Sequence, residues 1–506
     1  MKKWLLAALL WLAALGAEAA SGRCTFTGTV TEAGSGKGLA GVVVSDGLHC
    51  AVTDSRGHYT LVTERSEVRR LFVVTPSGYE IPFDANGAWS GFRPVDPART
   101  KQRVDFRLTP GTEGGDFDLL IMGDPQQMSS RPHSSESWSY VTEALRTYGE
   151  RAGHPLYQVF LGDMVTNEIE VPGRAEEYLQ KLARTGIRSF HVPGNHDHVQ
   201  SAEDYPASVA EYARIFGPYN FAVNIGAIHC IFLDTAAWKH SDKYKYDEGL
   251  NDEALCFLEE DLRYVPLDRP VMIFTHCPLT KRYGGDYPDA LNADRFFALL
   301  EGRTVECWYG HIHFYSNYAY TPAELAAHAP GVKSLGSHIV GRCGGAWCCS
   351  GEVCRDGSPR GCIVLEVRGG EVSWRFHSFD ARYADDCHCY LPHRFDGLGI
   401  ADDAALYCNI YLWDNLWSTP EVWIGGQRAG VMEKVREAGM DSGKDPLYSY
   451  WFPIWERSGI VGFRNEPSKS YDNGHLFRFT PPEGCRACEI HYTDRWGRRY
   501  VRPLAW

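Results

Sequence analysis

Five apolar, strand-like runs between residues 117 and 313 each stop on side chains that carry lone pairs or charge. "FDLLIMGD" ends at Asp124, "LYQVFLGD" at Asp163 and "RSFHVPGNHD" passes through Asn195 and His196, while "PVMIFTH" ends at His276 and "WYGHIH" at His311 and His313. Runs of this length read as buried strands, and the stretches between them read as helices. In one of these, Leu255, Leu258 and Leu262 recur at i, i+3 and i+7 on a single face. Such alternation predicts β-α-β connectivity in a sheet flanked by helices, with the loops at the C-terminal strand ends converging on one crevice. One Asp after a strand is usually a turn or a helix cap, and Asp234 in "IHCIFLDT" needs no other role. Five together restrict the chain to folds that bring five strand ends to one edge.

The flanks read differently. Residues 20–111 carry short Val-, Thr- and Tyr-rich runs broken by Gly turns, as in "GTVTEAGSGKGLAGVVVSDG" and "AVTDSRGHYTLV". This segment resembles the carboxypeptidase-regulatory-like β-sandwich, a module that serves more often as spacer or platform than as catalyst. "LTPGTEGGD" reads as a linker into a central domain over 112–382. Residues 383–506 return to aromatic-rich strands ("YCNIYLWDN", "HLFRFTPP") and predict a second β-rich domain.

A net charge of −13 argues against a nucleic-acid polymer as partner, because no overall positive field attracts a polyanion. Lys2 and Lys3 precede an apolar run from Trp4 to Leu15 and then Ala17-Glu18-Ala19. This is the pattern of a cleaved signal peptide over residues 1–19, and it predicts export to a periplasmic or extracellular space. The run is shorter than the roughly 20 residues that span a bilayer, so no membrane span is expected. Sixteen cysteines in an exported chain suggest disulfides, with Cys24 and Cys50, alone in the first hundred residues, expected to pair. Cys387-x-Cys389 with Cys485-x-x-Cys488 leaves open a zinc site, disulfides or buried thiols.

The ordered set D, GD, GNHD, H, GHIH resembles the calcineurin-like metallophosphoesterase superfamily from about Asp116 to Phe379. With its flanks, the chain looks like a three-part exported bacterial form of it. The resemblance implies an α/β fold, a metallophosphoesterase β-sandwich flanked by helices, with an N-terminal all-β sandwich and a C-terminal β-rich domain. It implies two divalent metal ions (Mn, Fe, Zn or Mg). Asp163 would bridge them, Asp124 and His313 would hold the first, and Asn195, His276 and His311 the second. His196 would face the leaving group as general acid. The implied reaction is hydrolysis of a small phosphate mono- or diester by a metal-bridging hydroxide. Two divalent cations outweigh two carboxylates and a hydroxide by one positive charge, which suits an anionic substrate in an acidic protein.

Two departures stand out. The superfamily usually has D-x-H at its first motif, whereas this chain has Asp124-Pro125-Gln126. Gln126 either ligates the first metal through oxygen or hydrogen-bonds a water on it. Thr166 and Asn167 stand where an acidic residue is usual near the histidine, which leaves the orientation of His196 open. Beyond the last motif, "GRCGGAWCCSGEVC" offers Arg342 and Trp347 either as substrate contacts or as parts of a stiffened surface loop. His198, His229 and His338 read as ordinary polar or core residues. The rival reading is a catalytically weakened surface protein that binds glycan or protein ligands. Substrate, metal identity and oligomeric state are open at this level.

Overall fold

The fold is that of a computed structural model describing residues 23–63, 70–111, 115–129, 132–239, 245–280, 290–344, 353–354, 356–393, 404–435 and 474–506. The signal-peptide pattern and Trp347 lie outside the described residues.

The N-terminal part holds strands β1 (Cys24–Glu32), β2 (Val43–Ser45), β3 (Cys50–Val52), β4 (His58–Thr63), β5 (Arg70–Val73), β6 (Phe92–Pro94), β7 (Lys101–Arg103) and β8 (Phe106–Leu108). They form two four-stranded sheets, one of β4-β1-β7 with β8 also on β1, the other ordered β3-β2-β5-β6. Alternation along β4, exposed His58 against buried Tyr59 and Leu61, reflects a sheet with one wet face.

The centre holds β9 (Phe117–Met122), β10 (Leu156–Phe160), β11 (Arg188–His191), β12 (Phe221–Ile225), β13 (Ile228–Phe232), β14 (Ala236–Trp238), β15 (Tyr246–Glu248), β16 (Val271–Thr275), β17 (Thr304–Tyr309), β18 (Ser316–Ala319), β19 (Ser334–Ile339), β20 (Gly361–Arg368) and β21 (Glu371–Ser378). One sheet runs β11-β10-β9-β20-β21 and the other β12-β13-β16-β17-β19-β18. The pairs β9–β10, β10–β11, β13–β16 and β16–β17 are parallel. The sheets face each other across one core that joins Ile121, Val159 and Phe190 to Ile231 and Ile273, with Phe190 stacked on Phe232 at 5.2 Å. Helices 132–149 and 174–183 pack Trp138, Val141, Tyr178 and Leu182 against Leu120, Met122 and Phe160 of the first sheet. Strands covered on both faces bury every residue, so β16 reads as an apolar run from Val271 to Phe274 and β9 as one broken only by Asp118, which pairs with Arg368. In helix 252–262 the anticipated face is buried through Leu255, Leu258 and Leu262.

The C-terminal part holds β22 (Cys387–Tyr390), β23 (Leu406–Ile410), β24 (Glu421–Ile424), β25 (Gln427–Val431), β26 (Glu433–Lys434), β27 (Leu476–Phe479), β28 (Ala487–Thr493) and β29 (Arg499–Ala505), in sheets β22-β23-β27-β26 and β25-β24-β28-β29. Both flanks are docked on the centre. Trp89 stacks on Phe221 at 4.1 Å and its backbone N–H donates to the Ser189 carbonyl, while Trp496 meets Trp374 edge-on and Asn409 donates to the Asp356 carbonyl at 2.6 Å. Among the described residues no helix is long and apolar enough to cross a membrane.

The expected Cys24–Cys50 pairing is corrected: both are free thiols. Cys24 lies on β1 in the first sheet's core and Cys50 on β3, half-buried against helix 252–262, so the two belong to different packing environments.

Candidate metal centre

Every predicted donor lies just past the C-terminal end of a central strand: Asp124 after β9, Asp163 after β10, Asn195 and His196 after β11, His276 after β16, His311 and His313 after β17. The backbone there is strained. Asp124, Gln126, Asp163, His311 and His313 all have positive φ, between 42° and 69°, as does Asn167 at 57°. Non-glycine residues rarely adopt this region, and such strain collects at functional sites. Glycines give the room: a Cβ on Gly194 would sit 2.2 Å from Asp163 Oδ1, and one on Gly162 would sit 2.6 Å from His276 Nδ1.

Two donor groups result. Ligand atoms of Asp124, Asp163 and His313 lie within 4.8 Å of one another, and so do those of His276, Cys277 and His311. Asp163 touches both groups. Its Oδ1 is 3.3 Å from His276 Nε2, and its Oδ2 accepts from Gln126 Nε2 at 3.1 Å. Asn195 Oδ1 is 3.0 Å from His276 Nε2, His311 Nδ1 is 3.1 Å from the same nitrogen, and His313 Nε2 is 3.1 Å from Asp124 Oδ1. The structure therefore brings together all seven expected ligands. Burial works against charge on Asp163, yet His276 and His196 hold its carboxyl well below the usual range. For His276 burial again opposes charge, but the Asp163 carboxylate prevails and lifts the imidazole to about 10.

The donors fit divalent cations. His276 Nδ1 lies 2.6 Å from the Leu161 carbonyl and donates there, so Nε2 is the nitrogen that carries the extra proton and that a cation would take in its place. That nitrogen then faces Asn195 Oδ1, His311 Nδ1 and Asp163 Oδ1. One proton can serve only one of these contacts, whereas a cation serves them all. Gln126 Oε1 is buried with no hydrogen-bond partner among the described residues, an orphan that a metal or its water would satisfy. A mixed set of imidazole, carboxylate and amide suits Zn, Mn or Fe.

The question about His196 is answered by Asn167. His196 Nδ1 is 2.7 Å from Asn167 Oδ1, and its backbone N–H donates to Asp163 Oδ1 at 2.9 Å. The amide thus does the orienting work expected of a carboxylate, and left-handed backbone at Asn167 aims it. Asp197 does not reach His196; it accepts from Gly194, Met164 and Val165 N–H and ties the two loops together. Burial, and next the charge on Asp163, push Asp197 up to about 7.

Sequence reading missed two residues. Glu248 on β15 lies 3.4 Å from His311 Nε2, which turns Nδ1 toward His276, and nothing local to Glu248 announces this. Cys277 places sulfur beside His276 and His311, and its position next to His276 was the available signal. Arg342 is buried, its backbone bridges Gly123 next to Asp124, and its Nη2 donates to the Val353 carbonyl at 3.2 Å. Thr166 is buried and makes no contact with His196 that the structure records. His198, His229 and His338 are buried against Asp234, Asp261 and Glu306 respectively. A cavity of about 660 Å³ near Arg70, Asp204 and Tyr219 contains none of the donors.

Three family models match the chain: the N terminal of calcineurin-like phosphoesterase over 24–111, calcineurin-like phosphoesterase over 117–315, and the C terminal of calcineurin-like phosphoesterase over 337–500. No curated protein matches the sequence. Among solved structures, a dimetal phosphatase from Danio rerio is 13% identical, with 52% of this chain and 96% of that one covered at a TM-score of 0.37. A purple acid phosphatase from yellow lupin (Lupinus luteus) seeds is 12% identical, with 72% and 68% covered at a TM-score of 0.39. Strand-end donors in the family's order and three adjoining family matches lead to one statement: this chain belongs to the calcineurin-like phosphoesterases, a metal-dependent phosphoesterase with the family's own N- and C-terminal parts.

Proposed function

We propose that the chain is an exported phosphoesterase that holds two divalent cations and hydrolyses a small phosphate mono- or diester by direct attack of water. The observation that carries this reading is the position of Asp163, in contact with both donor groups at once. Asp124, Gln126, Asp163 and His313 would hold one cation, and Asp163, Asn195, His276 and His311 the other. When bound, such cations withdraw charge from phosphate oxygens and acidify a water between them.

The chain's own residues do the rest. Gly194 and Gly162 let the loops close on Asp163, and Glu248 and the Leu161 carbonyl fix the tautomers of His311 and His276. In its imidazolium form His196 donates a hydrogen bond from Nδ1 to Asn167 Oδ1, and its side chain keeps 24% exposure, so the Nε2 proton is the one that passes to the leaving-group oxygen and leaves a neutral ring. Metal-free full-length protein, reloaded with Mn²⁺ and screened against phosphomonoesters and phosphodiesters, is expected to turn over one of the two classes. A metal-loaded protein inert toward both would refute the reading. Export rests on the pattern at residues 1–19, and N-terminal sequencing of the secreted or periplasmic protein should begin after Ala19.

A further inference from the structure

The C-terminal domain gathers a second set of soft donors that the phosphoesterase site does not use. Cys387 and Cys389 lie on the same face of β22, and Cys389 is the direct cross-strand partner of Cys408 on β23. Their sulfurs sit 3.9 Å apart (Cys387 to Cys389) and 3.3 Å apart (Cys389 to Cys408), and all three lie within 4.8 Å of one another. Three thiolates around one zinc at ~2.3 Å, in tetrahedral directions, would have sulfurs roughly 3.8 Å apart. The trio is therefore close to the required spacing before any metal arrives.

Its surroundings favour a bound cation over ordinary packing. Cys408 is fully buried and Cys387 nearly so, while Cys389 is half-buried on β22, an edge strand of its sheet, which gives an ion a way in. Tyr492 and Arg502 flank Cys387, and both also hold the adjacent Asp386 carboxylate, Arg502 through Nε at 2.7 Å. This is the outer layer that fixes ligands in thiolate sites. A disulfide between Cys389 and Cys408 would use two sulfurs and strand the third, whereas one cation uses all three. Cys485, part of the spacing noticed in the sequence, instead turns its thiol to the Ala487 carbonyl.

We propose that Cys387, Cys389 and Cys408 form a structural or regulatory site for a thiophilic d¹⁰ cation of the zinc type, separate from the phosphoesterase centre. Binding releases the thiol protons to solvent, and an outside ligand or water fills the remaining position. A divalent ion with three thiolates leaves a single negative charge, which costs less to bury than the double charge a monovalent ion would leave.

The test uses reduced, metal-free, full-length protein titrated with Cd²⁺ and followed by thiolate-to-metal charge-transfer absorption. The wild type should develop the band, and Cys389→Ser should lose most of it. Cys277→Ser removes the sulfur beside His276 and His311 and should keep the C-terminal band. Because the sites are separate, Mn²⁺-dependent turnover by Cys389→Ser should stay within about twofold of wild type. Should a variant not fold, peptide mapping after alkylation of the wild type serves instead: Cd²⁺ should protect Cys387, Cys389 and Cys408 together. No band in the wild type, an equal band in Cys389→Ser, or alkylation unaffected by Cd²⁺ would each overturn the proposal. So would a Cys389–Cys408 disulfide in protein isolated without reductant that persists and excludes the ion.

Discussion

Histidines and acids are buried together in two ways in this molecule. On the strands of the second sheet, His229 bonds Asn224 through Nδ1 at 2.9 Å and Asp261 through Nε2 at 2.6 Å, and His338 likewise bonds Asn317 and Glu306, both at 2.8 Å. Each ring nitrogen has one partner and the account is closed. At the strand ends, His276 Nε2 faces three lone-pair atoms, and five of the seven expected ligands have left-handed backbone, which none of the residues of the closed pairs has. The residue types and the depth of burial are the same. What separates a site from a structural pair is the surplus of acceptors and the strain held to create it.

Substitutions can test that contrast. The largest effect is expected for Asp163→Asn, since the two donor groups share this carboxylate. Losing a buried charge of this kind costs roughly 3–5 kcal/mol, hence a fall in kcat/KM of about 10³-fold with reduced metal content. Near-normal turnover with both metals retained would break the assignment. His196→Ala should retain the metals but slow esters with poor leaving groups by roughly 10²–10⁴-fold, and activated aryl esters less. Asn167→Ala should show the same leaving-group preference at smaller size, because it removes only the aim of the ring. Equal losses on both ester classes would instead make His196 a ligand or a phosphate binder.

A closed pair should behave in the opposite manner. His229→Ala strands Asp261 and should lower stability by about 3–5 kcal/mol, read as a lower urea midpoint, with turnover per folded molecule unchanged. Loss of turnover in the folded variant would erase the distinction drawn above. His191 offers a third case: it is buried against Phe160 with no acid partner among the described residues, and burial holds its imidazole down at about 3. The unfolded chain takes up a proton near pH 6.5 that the folded chain refuses. Stability contributed by neutral His191 is therefore complete above pH 6.5 and falls by up to about 1.4 kcal/mol per pH unit down to about pH 3. His191→Phe should flatten that part of a denaturation-versus-pH curve; an unchanged slope would mean the ring is not kept neutral by burial. The smallest effect belongs to Gln126→His, which should tighten Zn²⁺ relative to Mg²⁺ in titrations of the metal-free protein. Unchanged affinities for both ions would place Gln126 outside the ligand set.

Much of the centre was legible because strand-ending motifs are local. Asp124, Asp163, Asn195, His276, His311 and His313 each follow an apolar run that can only be a covered strand, and parallel pairing delivers their loops to one edge. The Arg342 side chain was not legible, because a Gly-rich stretch shows no sign of which way a guanidinium turns; here its Nη2 meets the Val353 carbonyl. The Cys24–Cys50 pairing failed for a related reason. Cysteine spacing does not reveal facing sheets, and these two do not pair while Cys389 and Cys408 meet across one ladder.

By itself, then, the sequence determined the donor types, their order, the covered strands and the apolar face of helix 252–262, because each is written in a period of two or 3.6 residues or in an adjacent motif. Tertiary structure alone decided that Asn167 aims His196, that Glu248 turns His311, that both flanks dock through Trp89 and Trp496, and that three thiols converge. These contacts join residues that pattern does not relate. They exist because register and close packing fix side chains to within a fraction of an ångström, a constraint that acts only once the whole core has formed.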